Sequence, residues 1–400
     1  MRAPKLTRRS LFKTAAAGTA LAAAVSILPG CTHGPDEIDA DPTVVDEDSA
    51  ESVLEAFSAA DSPLVEESSW TLPLGNVLRP CEGTWAPVIT AGSSATPMVK
   101  ASALSLSSGT LVEVVPAPLG AASTTVIYDV RCSDEVYAWV ELDTVTHAWA
   151  LYAAGFADGQ LSGDTKMLWE GTSDYDPAPF AVSGSRVIWQ VQPSTSGSRT
   201  TEHSLCYVWR EGDSDAKSVV ESPGRFATAP TVSAGVAVLT PRVHDDEGIF
   251  YGATAYSLSD DLRTKLDQLV LPASVRPFRA TRVGDRFLVS VEASYSSGGL
   301  LGKMGTYIGS TSAGFYKLDR EPSECGCGKG DVYIIKSNAS YLVIDLASRT
   351  YSSLVATDRS VDYGEFPARA GECDQFVTFS TVKDENTGYP ASVTVRTFRL

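Results

Sequence analysis

From about residue 80 onward, apolar and polar positions alternate in short runs, and the runs recur. Six stretches share one phrase: residues 129–142 (DVRCSDEVYAWVEL), 181–191 (AVSGSRVIWQV), 231–240 (TVSAGVAVLT), 280–291 (ATRVGDRFLVSV), 325–337 (CGCGKGDVYIIKS) and 368–380 (ARAGECDQFVTFS). Each reads as a short strand, a tight turn of small or acidic residues, then a β-branched and aromatic strand. Gly, Ser and Asp tolerate the backbone angles such a turn needs, and Val, Ile, Phe, Trp and Tyr suit a half-buried strand. Pro179, Pro230, Pro277 and Pro367 stand just ahead of the first strand, and a weaker seventh copy lies at 81–92 (CEGTWAPVITAG). Aligned on the second strand, the copies start near 84, 136, 187, 236, 287, 332 and 376, with spacings of 44 to 52 residues. Two more strand-like runs follow each, as at 204–211 then 217–222, or 341–347 then 351–356.

Four antiparallel strands per repeat, with no helices between, predict an all-β fold, a β-propeller. A β-sandwich would not repeat one four-strand phrase, and solenoid repeats are shorter. Seven four-stranded blades fit the count; six, with a degenerate first segment, is the alternative. The last copy ends at 392–400, only three strands in. A segment around Trp70 to Val77 is expected to supply the missing strand, closing the ring and leaving no open edge. The domain so defined spans residues 68–400. It is similar to the TolB-like and WD-type propellers, whose blades also open with Pro and a Ser-Gly-Asp type turn. No Trp-Asp dipeptide or Gly-His signature is present, and a likeness of fold does not carry function across.

The N-terminal run is of another kind. Residues 14–30 carry no charge but are rich in Ala and end in Pro-Gly, too weakly apolar for a stable span of about 20 residues. A positive head, a short apolar middle and a small-residue end read as a removable export signal over 1–30; the alternative is an uncleaved anchor. Thr7-Arg8-Arg9-Ser10-Leu11-Phe12-Lys13 resembles a twin-arginine signal, and Leu28-Pro29-Gly30-Cys31 resembles a bacterial lipobox. That resemblance implies export of the folded chain, lipidation of Cys31 as the mature N-terminus, and residence on the extracytoplasmic face of a bacterial membrane.

Charge sharpens the picture. The net charge of −17 becomes −22 once the five bases of residues 1–30 are removed. Residues 36–67 hold twelve acids and no Lys or Arg, so 31–67 is expected to be an acidic, solvated tether. Within it, Ser52 and Glu55 form a capping pattern for a short helix presenting Val53, Leu54 and Phe57, read as a transient turn. The body from residue 68 has 27 bases against 37 acids, which argues against a nucleic-acid partner. A monomer is expected.

In a propeller the second-to-third and fourth-to-first strand connections share one face. Here they include long loops at 192–203, 241–250, 292–305 and 383–391, and long loops on a rigid scaffold are where binding is built. The candidate binding face comprises Arg242, His244 and Asp245 on these loops, with Asp246, Tyr295, Asp384 and Tyr389. Near the channel mouth it adds Tyr175, Asp176, Arg225, Arg276, Tyr363 and Glu365. For each, a solvated polar rim is the bland alternative.

Cys81, Cys132, Cys325, Cys327 and Cys373 fall on one sector of the opposite, short-turn face. Outside the cytoplasm they are candidate disulfides, Cys81–Cys132 and Cys373 with Cys325 or Cys327. A thiolate-bound metal is the alternative, although no Cys-x-x-Cys spacing is present. Cys206 reads as a buried thiol. No nucleophile elbow, zinc-protease helix or phosphate-binding loop occurs, and no cofactor is expected. Ser214-x-x-Lys217 matches a nucleophile pattern by letters only. The four histidines lack ligand spacing, and Asp245-Asp246-Glu247 is a calcium candidate whose plain reading is a charged loop tip. Two function classes follow. One is a binding or scaffold module for a protein or cell-wall glycan; the other is a secreted propeller enzyme, of glycosidase or lyase type, with carboxylates at the channel mouth.

Overall fold

The computed structural model describes residues 50–91, 100–244, 249–272, 275–292, 304–320, 322, 324–337, 340–355 and 366–400. Their strands form seven sheets, each built on four antiparallel strands. Blade 1 comprises Asn76–Leu78, Trp85–Thr90, Lys100–Ser105 and Leu111–Val115; blade 2 comprises Thr125–Cys132, Val136–Asp143, Trp149–Ala157 and Gln160–Gly171. Blade 3 holds Phe180–Ser183, Arg186–Val191, Ser204–Arg210 and Lys217–Ser222; blade 4 holds Thr231–Ser233, Val236–Leu239, Phe250–Ser257 and Lys265–Val270. Blade 5 is Arg279–Val283, Arg286–Val291, Gly305–Ser310 and Gly314–Leu318; blade 6 is Cys327–Lys329, Val332–Ser337, Ser340–Asp345 and Thr350–Val355. Blade 7 takes Phe366–Pro367, Gln375–Lys383 and Pro390–Arg399 from the C-terminus and Val65–Pro73 from the N-terminal side.

The second strands thus begin within one residue of the positions the repeat predicts. Four first-to-second turns need only two residues, pairing Ser183 with Arg186, Ser233 with Val236, Val283 with Arg286 and Lys329 with Val332. In three of these the first turn residue is a left-handed glycine, Gly184, Gly284 or Gly330; in blade 4 it is Ala234, at φ 47°.

Seven buried apolar clusters hold the ring, one at each junction between neighbouring blades. Strand alternation explains this: each blade turns one face to the blade before it and the other to the blade after, so both faces are apolar. Trp139 and Trp189, each at most 1% exposed, lie in the clusters of the first and second junctions. Polar contacts reinforce the same junctions. Thr84 donates to Asp134 (2.9 Å), Ser133 to the Gly184 carbonyl (2.6 Å), Arg186 to Asp261 (3.1 Å) and Arg286 to Asp331 (2.8 Å).

Closure follows the expected plan with a shifted boundary. The closing strand is Val65–Pro73, paired along Pro390–Arg399 from Val65↔Arg399 to Pro73↔Ser392. Asn76–Leu78 instead opens blade 1.

Two segments depart from expectation. Residues 50–59, assigned by composition to a solvated tether, are docked on the ring. Glu51–Ser52 pairs in parallel with the outer strand of blade 5, and Ser58–Ala59 with the outer strand of blade 6. The helical turn Val53–Ala56 between them presents Val53 (0% exposed), and Phe57 (7%) follows it into the core between those blades. Arg349 pairs with Glu51 and lies 4.8 Å over the Phe57 ring. Two apolar anchors, each worth about 1.5–3 kcal/mol when buried, offset the ordering of an otherwise acidic strap. The strap also covers two sheet edges that would otherwise be open.

The second departure is the first-to-second connection of blade 7, residues 368–374, expected to be a short turn. It crosses the short-turn face instead. Gly371 and Glu372 pair in parallel with Cys327 and Gly328 of blade 6. Arg369 donates to the Cys81 and Gly83 carbonyls of blade 1 (3.1 and 2.5 Å), and Glu372 accepts from the Gly284 amide of blade 5 (2.9 Å). Gly371 (φ 71°) packs so tightly on Ser233 of blade 4 that a Cβ would overlap its hydroxyl. One loop therefore ties blade 7 to blades 1, 4, 5 and 6.

Residues 1–49, including Arg8, Arg9 and Cys31, lie outside the described residues. No helix among the described residues is long and apolar enough to cross a membrane.

Phe57→Ala is expected to lower unfolding free energy by about 3 kcal/mol in urea denaturation of the mature chain; a freely solvated strap would leave it unchanged. Ala234→Gly is expected to raise stability by about 1 kcal/mol in the same assay, because glycine removes the left-handed strain.

Candidate functional site

The face that carries the second-to-third and fourth-to-first connections bears a cleft of about 760 Å³ at the junction of blades 2 and 3, which continues round the end of blade 2 to the connection from blade 1. Its walls are strand ends and the connections leaving them. Blade 2 contributes Glu141, Asp143, Trp149, Tyr152, Trp169 and Glu170; the connection to blade 3 contributes Tyr175; blade 3 adds Glu202, His203 and Tyr207. The rings continue the junction core outward. Trp169 stands 4.7 Å from Tyr207, which stacks at 5.5 Å on buried Trp189, and Tyr152 stacks at 5.6 Å on buried Trp139. Trp149 donates its indole N–H to the Tyr175 carbonyl (3.0 Å), and Gly171 leaves no space for a side chain beneath that indole.

The carboxylates are held in different ways. Glu141, 2% exposed, accepts the amides of Leu119 (2.8 Å) and Gly120 (2.9 Å) and the indole N–H of Trp139 (3.0 Å). Asp143 accepts from the Thr124 hydroxyl and the Val145 amide, both at 2.9 Å, and these bonds hold its carboxyl below its ordinary pKa. Glu202 accepts from the Tyr175 hydroxyl (2.9 Å) and from Arg199 (3.0 Å). His203 meets Glu221 at 2.5 Å. Burial, aided by Glu202, raises the Tyr175 phenol, and burial with the nearby Glu141 and Glu170 charges raises that of Tyr152.

Several residues picked out from sequence come together beside this cleft. Asp176 forms a 2.6 Å ion pair with Arg225, which also reaches the Pro193 carbonyl. Arg242 lies against Gly224, next to Arg225, and its amide is bonded to the Ser222 hydroxyl (3.0 Å). Tyr175 is thereby joined to the Asp176–Arg225 pair through one connection. Arg276 is exposed, on the connection between blades 4 and 5. The side chain of His244, together with Asp245, Asp246, Tyr295, Tyr363 and Glu365, lies outside the described residues. Sequence reading missed Trp149, Tyr152, Trp169, Tyr207, Glu141 and Glu170. In a strand repeat they are indistinguishable from core aromatics and solvated acids, and only the strand ends at which Trp149, Trp169 and Glu170 fall could have marked them.

The central channel, about 560 Å³, is lined by the first strands, with Arg79, Arg131, Arg279 and Glu324 as its charged groups. Asp129 holds both Arg79 (3.3 Å) and Arg131 (2.5 Å). Cys81 and Cys325 also line it, at the short-turn end where the sequence places the thiols.

The expected disulfides are not formed: all six described cysteines are thiols. Cys81 and Cys132 are bridge partners on adjacent parallel segments, yet each sulfur turns to a carbonyl, Ala368 at 3.3 Å and Trp85 at 3.4 Å. The Cys327 thiol hydrogen-bonds to Cys373, which raises Cys327 and lowers Cys373; the Arg369 charge lowers Cys373 further. Cys206 is fully buried in blade 3, and burial pushes its thiol far up. Among the described residues no three His, Cys, Asp or Glu side chains are placed to hold a metal ion.

No family model matches the chain, and no curated protein matches it in sequence. Among solved structures it is similar to an acylaminoacyl peptidase in complex with Z-Gly-Gly-Phe-chloromethyl ketone, with TM-score 0.51 and 11% identity over 80% of this chain and 51% of that one. It is likewise similar to the uncomplexed acylaminoacyl peptidase of Pyrococcus horikoshii, with TM-score 0.51 and 11% identity over 82% and 52%. The β-propeller domain of the Trilobed protease from Pyrococcus furiosus aligns at TM-score 0.48 and 10% identity over 76% and 91%. The chain thus spans about half the length of the two peptidases, and at such identity the likeness is one of fold. Fold and likeness together define a β-propeller.

Glu141→Gln is expected to destabilise the protein by about 2 kcal/mol, because an amide NH₂ then faces buried N–H donors. Urea denaturation measures this; an unchanged midpoint would mean that those N–H groups find other acceptors.

Proposed function

We propose that the protein is an extracytoplasmic binding module, held at a bacterial membrane by a lipid on Cys31 after export directed by Arg8 and Arg9. Its ligand, a protein or cell-wall glycan, engages the long-loop face. The observation that carries this reading is the cleft at the end of blade 2, where Trp169, Tyr175 and Tyr207 present part-exposed rings on the blade 3 side and Tyr152 on the blade 1 side. Exposed ring faces beside polar groups are the usual make-up of a recognition pocket. The strap supports it in a second way. By docking residues 50–59 on blades 5 and 6, it leaves the acidic stretch before residue 50 as the spacer from the lipid, and the cleft lies on other blades, 2 and 3.

The enzyme reading receives less support. Asp176, one of its two named carboxylates, is engaged by Arg225 at 2.6 Å, and the other, Glu365, lies outside the described residues.

Cys31→Ala is expected to move the protein from the membrane to the soluble extracytoplasmic fraction, and paired Arg8→Lys and Arg9→Lys changes to retain it in the cytoplasm. In binding assays on the purified mature chain, Trp169→Ala and Tyr207→Ala should abolish ligand retention, while Asp285→Asn, exposed on the opposite, short-turn face, should not. Retention untouched by both cleft substitutions, or turnover of a glycan abolished by Asp176→Ala with the fold intact, overturns the proposal.

A further inference from the structure

We infer that the cleft between blades 2 and 3 recognises a basic peptide segment, seating an alkylammonium or guanidinium side chain of a protein ligand against its rings and carboxylates. This deepens the binding-module reading and rests on it.

Among the described residues the cleft's lining contains Glu141, Asp143, Glu170 and Glu202 and no Lys or Arg. Arg199, just outside, pairs with Glu202, and Glu141 is buried on three N–H donors, which leaves Asp143 and Glu170 as the acids facing the opening. Glu170 is exposed and makes no ion pair among the described residues. It lies near enough to Tyr152 for its charge to act on the phenol, as does that of Glu141. Tyr152 stands with Glu141 and Glu170 on the blade 1 side of blade 2, and the Trp169–Tyr207 pair stands on its blade 3 side, so a basic segment laid across the end of blade 2 meets ring faces on both sides and carboxylates beside the first. That is a cation–π site reinforced by charge.

Hydrogen-bonding capacity points the same way. The indole N–H of Trp149 is committed to the Tyr175 carbonyl, and the Tyr175 hydroxyl to Glu202. The lining therefore offers the exposed Glu170 carboxylate and ring faces but few donors. A ligand rich in N–H donors matches it, whereas a neutral glycan would desolvate Asp143 and Glu170 without supplying a counter-charge. A volume of about 760 Å³ accommodates one long basic side chain with flanking backbone. Wall rigidity adds selectivity, since both tyrosines stack on fully buried tryptophans.

The test uses the purified mature chain and hexalysine, its fully Nε-acetylated form, and a neutral chito-oligosaccharide, followed by tryptophan fluorescence and calorimetry. Hexalysine is expected to bind saturably, to weaken steeply with salt, and to lose at least tenfold in affinity on Trp169→Ala and on Glu170→Gln. The exposed Glu385→Gln control should leave affinity within twofold, and the acetylated peptide should not bind. Glu170→Gln is exposed and conservative, so it reports on the site even where the Trp169 variant is unstable. Hexalysine binding that both cleft variants leave unchanged reflects general surface acidity and overturns the inference, as does no hexalysine binding. Binding of the neutral oligosaccharide, with none of hexalysine, overturns the cationic ligand and leaves the binding-module reading standing.

Discussion

Everything in this molecule depends on one strand, Val65–Pro73, zipped onto Pro390–Arg399. A ring of sheets is stable only when its last junction is as well packed as the others, and this pairing completes blade 7 with residues from the far end of the sequence. Leu72 then joins Leu78, Val88 and Leu104 of blade 1 and Val393 and Val395 of blade 7 in the seventh junction core. Two further devices guard that closure. The strap of residues 50–59 runs over the outer edges of blades 5 and 6 before the closing strand begins. The crossing loop of blade 7 binds the short-turn face from within. The first opposes peeling from the outside, the second opposes splaying from the centre.

The cleft sits where none of these devices is needed. Blades 2 and 3 are consecutive and complete in local sequence, so their junction is rigid without help from the chain ends. Two junction cores flank blade 2 and serve two purposes there: Trp139 and Trp189 are buried, while Tyr152 continues the first outward and Tyr207 and Trp169 continue the second. Positioning therefore comes from core packing, and long loops contribute little beyond Tyr175 and Glu202. The Asp176–Arg225 pair beside it fixes the connection that carries Tyr175.

Much of the ring was legible because its signal is local. A two-residue turn between apolar strands announces itself through Gly184, Gly284 and Gly330, and the repeat places each second strand to within one residue. The strap was not legible, since twelve acids between 36 and 67 outweigh Val53 and Phe57 in any compositional reading. Nor was the loop at 368–374, whose Arg369, Gly371 and Glu372 resemble an ordinary turn until blades 1, 4 and 5 surround them. The candidate site was half legible. Tyr175, Asp176 and Arg225 were named from loop position, but the aromatic wall was hidden among strand residues, and the sulfur positions were read correctly in sector while their bonding was not.

The sequence by itself determined the strand periodicity and the need for a borrowed strand, while seven blades rather than six came from the tertiary structure. Periodicity and borrowed strand follow from short-range backbone preference and from an incomplete last copy. Only the tertiary structure decided which acidic residues become anchors, which turn becomes a tie across the axis, and which aromatics become a wall. Those outcomes depend on what lies opposite a side chain across a junction, hundreds of residues away along the chain in the case of Phe57 and Tyr316. Alternation along a strand says which face a residue takes, but whether that face meets a neighbour or solvent is a property of the closed ring.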